Sequence, residues 1–190
     1  MARYGKEHKQ VTRQRIIEMA SHRFKQDGID GSGIATVMAD AGLTNGAFYA
    51  HFASKDDLVA TVVADQLRSQ AARYSMLSPG RAGLEEFIRD YLTPQHRDHP
   101  GTGCPSAALL DEIGRCTSAT KQAYTDGARA IVDEIAAHLA PDDPQSAHGK
   151  ALGLFTMVVG TMQLSRALSD PRFADEVLER GIQNALAFMR

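Results

Sequence analysis

Along nearly the whole chain, apolar residues recur at spacings of three and four, and the alternating Val/Ile/Thr/aromatic runs that mark strands are missing. That periodicity permits helices packed on helices, so the predicted fold class is all-α. With 190 residues, 43% of them hydrophobic, such helices can bury a substantial core. No repeat and no low-complexity tract interrupts the pattern, which sets aside solenoids and wholesale disorder.

Breakers and caps divide the pattern into elements. Ile16, Ile17, Ala20 and Phe24 form one stripe of a helix predicted over 10–26, which Asp27-Gly28 stops, with Arg13, Arg15, Arg23 and Lys25 on its other faces. A short helix follows over 34–41, with Ile34, Val37 and Met38 or Ala41 inward. It opens at Ser32 or Gly33 and ends at Gly42. Thr44 reads as the N-cap of a third short helix carrying Phe48, Tyr49 and Phe52. Ser54 reads as the cap of a long fourth helix reaching to about 77, with Asp56 and Asp57 where carboxylates complement the helix dipole. Pro79-Gly80 is the clearest break. Beyond it the spacing predicts helices over 81–93, 106–114, 118–139 and 145–168, and a last one from Pro171, with a Pro/His/Gly-rich loop over 93–103. The organisation expected is a three-helix head over 1–54 and a helical body over 55–190.

Charge separates these two parts. Residues 1–55 hold 8 Lys/Arg against 5 Asp/Glu, whereas residues 56–190 hold 13 against 18. A basic first third on an acidic remainder suits a chain that offers one end to phosphates. No apolar stretch approaches the roughly 18 residues of a membrane span, and the N-terminus lacks an export signal's apolar segment. A cytoplasmic protein without membrane contact is therefore expected, with Cys104 and Cys116 as free thiols.

The segment over 34–58 reads IATVMADAGLTNGAFYAHFASKDDL. Two short helices joined through Ala41-Gly42-Leu43-Thr44 meet the requirements of a helix-turn-helix: Gly42 for a left-handed turn, Leu43 to fix the angle, and a polar cap opening the second helix. That helix begins Thr44-Asn45-Gly46-Ala47, small and polar residues that allow close approach to base edges. Tyr49, His51 and Lys55 present polar tips for phosphates. Phe48 and Phe52, four apart, belong to the core.

In this register the chain resembles the TetR family of transcriptional regulators, through Gly42, Leu43, Thr44, Phe48-Tyr49, His51-Phe52 and Ser54-Lys55-Asp56-Asp57-Leu58. The resemblance covers roughly residues 10–58. It implies a repressor that binds double-stranded operator DNA, with Thr44, Asn45, Gly46 and Ala47 near bases and Tyr49, His51 and Lys55 on phosphates. Gly33 departs from the pattern, because many members have Ser or Thr there to hold a phosphate. That contact is lost or passes to Ser32. Arg3, Lys6 and Lys9 would add a flexible arm.

The resemblance also implies a homodimer through the two C-terminal helices. The nearly all-apolar run over 149–160 is the expected seam, with Leu178, Ile182, Ala185, Leu186 and Met189 as its partner stripe. A small-molecule effector is expected in an apolar space lined by Phe87, Tyr91, Leu109, Leu110, Ile113, Met157 and Met162. Cys104 stands where a helix begins, and N–H groups at a helix start favour a thiolate. Similar Gly-Cys segments occur in TetR relatives that respond to electrophiles or oxidants, so Cys104 is a candidate sensor thiol. His96, His99 and Cys104 match no compact metal-ligand pattern, and no metal or other cofactor is expected. No set of nucleophile, base and orienter is evident, which argues against an enzyme. The competing reading is a helical small-molecule-binding module without DNA-binding function.

Overall fold

The computed structural model describes residues 2–190, with side chains from Glu7 onward. Its helices are α1 (Ala2–Asp27), α2 (Ile34–Asp40), α3 (Lys55–Ser75), α4 (Arg81–Tyr91), α5 (Pro94–Asp98), α6 (Pro105–Ile113), α7 (Ser118–Leu139), α8 (Pro144–Ala167) and α9 (Pro171–Phe188). Short 3-10 turns occupy Asn45–Ala50 and Pro100–Thr102. Among the described residues there is no strand, and no helix is long and apolar enough to cross a membrane.

Local chemistry accounts for most of the boundaries. After α2, the Gly42 N–H donates to Ala39 and the Leu43 N–H to Met38, both at 2.9 Å. Gly42 has φ +67, a conformation that a side chain would strain. These paired bonds close the helix end and turn the chain. Ser54 caps α3, its Oγ accepting the Asp57 N–H at 3.1 Å, while the Asp57 carboxylate accepts the Ala53 N–H at 2.9 Å. Thr117 caps α7 and Asp170 caps α9 in the same manner.

Helix α3 is the spine. It packs against α1 on one side and α7 on the other, and α7, α8 and α9 then pack in succession. Leu58, Val59, Val62, Val63 and Leu67 of α3 are buried, as are Ile131, Val132 and Ile135 of α7. Gly127 lets α7 lie directly on α3, because a Cβ there would collide with the Leu67 side chain. One continuous apolar core therefore links the head to the body.

Four expectations need correction. The first helix starts at Ala2, so Lys9 stands exposed on a helix and not on a flexible arm; the Arg3 and Lys6 side chains lie outside the described residues. Lys25 does not cover an outer face of α1: it is buried, 8% exposed. The predicted loop over 93–103 holds α5, opened by Thr93 whose hydroxyl accepts the His96 N–H at 3.2 Å, and a 3-10 turn. Asn45–Ala50 winds as a 3-10 turn and not as an α-helix. Thr44 occupies the N-cap position without a side-chain bond, and Gly46 within the turn favours no regular helix.

Candidate nucleic-acid interface and ligand cavity

The head is fastened from inside, which leaves its reading turn outside. Phe48 and Phe52 are stacked at 5.7 Å between centroids and lie fully within the core. The Arg13 guanidinium sits 4.6 Å over the Phe52 ring and donates to Thr61 Oγ1 at 3.3 Å, tying α1 to α3 across the aromatic pair. Arg23 bonds Asp27 at 3.0 Å and also Asp40 of α2, so two of the basic residues of α1 are structural ties.

With the aromatics anchored, Thr44, Asn45 and Gly46 are exposed and Ala47 is half-buried. Tyr49 packs edge-on against Phe48 at 5.2 Å yet remains 70% exposed. Lys55 and His51 are half-buried. Burial, then Lys9 and Arg13, hold the His51 imidazole below its ordinary pKa, and its Nδ1 is buried without a partner. His51 therefore joins a small basic cluster with Lys9 and Arg13. Gly33 is exposed at the start of α2. Ser32 is not available to a phosphate: it is 2% exposed and its hydroxyl donates to the Gly28 carbonyl at 2.7 Å.

The body holds a cavity of about 670 Å³ along the second half of α3, walled by α4, by the segment over 93–105 and by Lys25 of the head. Of the residues expected to line a ligand space, Phe87 and Tyr91 border this cavity. Leu109, Leu110, Ile113, Met157 and Met162 do not. Leu109, Ile113 and Met162 are buried in the core and Leu110 and Met157 pack half-buried against it, because inward-facing helix positions here meet other helices and not open space. Cys104, placed separately by the sequence, turns out to be in the same cavity wall.

Cys104 occupies the N-cap position of α6, but its side chain makes no capping bond and Pro105 supplies no N–H. The thiol is buried and donates to Gln70 Oε1 at 3.3 Å. Its backbone N–H donates to His96 Nε2 at 3.0 Å, while His96 Nδ1 lies 2.8 Å from the Tyr91 carbonyl. Both His96 nitrogens are thus engaged within the chain, and among the described residues no group of three or more metal-ligating side chains comes together. The Tyr91 hydroxyl is buried against Cys104 without a well-formed hydrogen bond, and burial pushes its pKa up.

Lys25, Gln66, Gln70, Met76 and His96 are among the cavity residues that sequence reasoning did not assign to it. A signal existed for two of them. Lys25 follows the buried Ile17 and Ser21 at steps of four, and Gln70 lies between Leu67 and Tyr74 on the buried face of α3.

An exposed turn held on a buried aromatic pair, preceded by a short helix and a left-handed glycine, defines a helix-turn-helix protein. Residues 16–62, the helix-turn-helix head and the start of α3, match the family described as bacterial regulatory proteins, tetR family. The chain is similar to the HTH-type transcriptional regulator AcrR of Shigella flexneri, 39% identical over 62 residues that cover 33% of this chain and 29% of that protein. It is also similar to the HTH-type transcriptional regulator TtgR of Pseudomonas putida, 42% identical over 59 residues, covering 31% and 28%. The aligned stretch thus spans less than a third of these curated relatives. The likeness in shape extends further: the crystal structure of E. coli NemR in reduced form superposes with a TM-score of 0.77 over 92% of this chain and 94% of that one, at 18% identity.

Proposed function

We propose that the chain is a cytoplasmic transcriptional repressor, a homodimer that holds a palindromic operator and releases it when a small molecule enters the cavity or when Cys104 is modified. The head over 1–54 reads the DNA and the body over 55–190 senses and dimerises. One observation carries the reading: Tyr49 is 70% exposed, although the turn that bears it is anchored by Phe48 and Phe52 deep in the core. Rigid exposure of an aromatic with a polar tip beside Thr44, Asn45 and Gly46 suits a surface built to meet another molecule. Gly33 contributes backbone only, and Ser32 no contact.

A single head binds weakly, so two copies must act together. The expected partner stripe needs revision, since Leu178, Ala185 and Met189 are buried within the subunit, where α9 packs on α8 and α4. What stays exposed is Leu152 and Leu164 on α8 and Phe173 and Phe188 on α9, with Gly149, Thr156 and Gly160 alongside on α8. We assign the dimer seam to that face. Effector binding then tilts α3, which touches both the cavity and the head, and changes the separation of the two heads.

The assignment is tested through Lys55→Ala by measuring affinity for duplex DNA across a salt series. The replacement should weaken binding to all sequences and make the salt dependence shallower, because a phosphate contact is lost. Unchanged affinity at low and high salt would remove Lys55 from the interface. For the thiol route, brief treatment with limiting maleimide followed by mass spectrometry should label Cys104 ahead of Cys116, and the reverse order counts against it.

A further inference from the structure

Lys25 is the residue of the cavity whose chemistry is unfinished. Its ammonium is buried, yet its acceptors are both neutral: Gln66 Oε1 at 3.2 Å and the Gly103 carbonyl at 3.0 Å. No carboxylate among the described residues pairs with it. Desolvation pushes its pKa down to about 8, against the raising influence of the nearby Cys104 sulfur, and Arg166 adds to the lowering. A buried cation without a counter-ion is a costly arrangement, and an ammonium has three donors, of which two are used. A second donor stands in the same wall, since the Tyr91 hydroxyl is buried beside Cys104 without a well-formed hydrogen bond.

The rest of the cavity indicates the shape of what would complete it. Lining residues run from Gln66, beside Lys25, to Met76 and Leu77 at the end of α3, roughly 16 Å at 1.5 Å per residue. Between these ends Phe87 and Tyr91 lie one above the other, their rings 5.6 Å apart. Glu86 and Asp90 also line the space, but both are exposed to solvent. Desolvation decides which charge needs a partner, and it selects the buried amine.

We propose that the cavity takes an amphiphilic organic carboxylate, its anionic end paired with Lys25 and its apolar body against Phe87, Tyr91 and Met76, so that the ligand grips the first helix of the DNA-binding head directly. This rests on the reading of the cavity as the effector site. The carboxylate takes the donor that Gln66 and the Gly103 carbonyl leave free, on a residue whose bond to Gly103 is one of the ties between α1 and the segment leading to α6. Occupancy thereby acts on the junction of head and body at the residue before Cys104.

Calorimetric titration of the full chain with phenylbutyrate and with its amide, phenylbutyramide, tests this without DNA. The carboxylate should bind at least about tenfold more tightly than the amide, as a charge-assisted pair exceeds a neutral one. Near pH 8 its binding should take up protons as Lys25 becomes fully charged, with His96, Cys104, Arg73 and Arg166 as the other ionisable groups around it. Lys25→Met should bind both compounds alike and take up none, and Lys25→Arg should keep the preference. Equal affinity of the unaltered protein for acid and amide, or no binding of the acid, overturns the proposal. DNA affinity without ligand is a separate measurement, so a failure of the regulator reading and a failure of the carboxylate reading leave different records.

Discussion

At the scale of single residues, burial decides which of two similar side chains is structural and which is free to act. Phe48 and Tyr49 are neighbours in sequence, but one is sealed in the core and the other faces solvent. Phe48→Ala should destabilise the chain by about 3–5 kcal/mol. Tyr49→Ala should stay within about 0.5 kcal/mol while weakening DNA binding. Chemical denaturation and a DNA titration on the same preparations separate the two effects. Lys25 makes the opposite case, a charge kept at the expense of stability. Because its folded value lies near 8 and its ordinary value is 10.5, the unfolded chain holds more protons between them, so stability rises with pH across that window. Lys25→Met should therefore be more stable than the unaltered protein at pH 7, by up to about 3 kcal/mol, the lost bonds to Gln66 and Gly103 reducing that margin. The gap should close by about pH 10.5. Urea melts at a series of pH values check this, and a gap independent of pH counts against a buried ammonium.

At the scale of elements, the sequence was readable wherever a boundary is made by its own residues. The turn after α2 announces itself in Gly42 and Leu43, and the starts of α3 and α7 in Ser54 and in Thr117 beside Ser118. The head was legible for a second reason, since Phe48, Phe52 and Leu58 fall on positions that admit one packing. The 3-10 pieces, Asn45–Ala50 among them, and the five-residue α5 inside a Pro/His/Gly run were not, because their form is settled by contacts from elsewhere. The same limit explains the cavity. Periodicity tells that Leu109, Ile113 and Met162 point inward, but only the packing of α6 and α8 tells whether inward means core or open space. Long-range polar ties are equally silent in sequence. Glu112 of α6 accepts the N–H groups of Ile29 at 2.7 Å and Asp30 at 3.3 Å, joining the body to the end of α1. Glu112→Ala leaves those donors without their acceptor and should destabilise the chain by about 1–3 kcal/mol. Amide exchange should quicken first at Ile29 and Asp30, and unchanged protection there would show that the tie is idle.

At the scale of the whole molecule, the chain joins a basic head, a cavity that includes a residue of that head, and an exposed apolar face on α8 and α9. The two ends are connected through α3 and through the contacts of α1 with the segment over 100–105. Under the proposed function, a ligand in the cavity acts on the head by tilting α3 or through Lys25, and either route would change the geometry of a pair of subunits. Central to this mechanism is that two such heads, held by that C-terminal face, read one duplex. Hydroxyl-radical footprinting of duplexes selected by the full chain from a random-sequence pool tests it most directly. The expected result is two protected half-sites of inverted sequence, centred about one helical turn apart, roughly 34–36 Å, and protection lost with Leu164→Glu. A pool that yields no preferred sequence, or a single protected patch from a chain that stays monomeric, would contradict it.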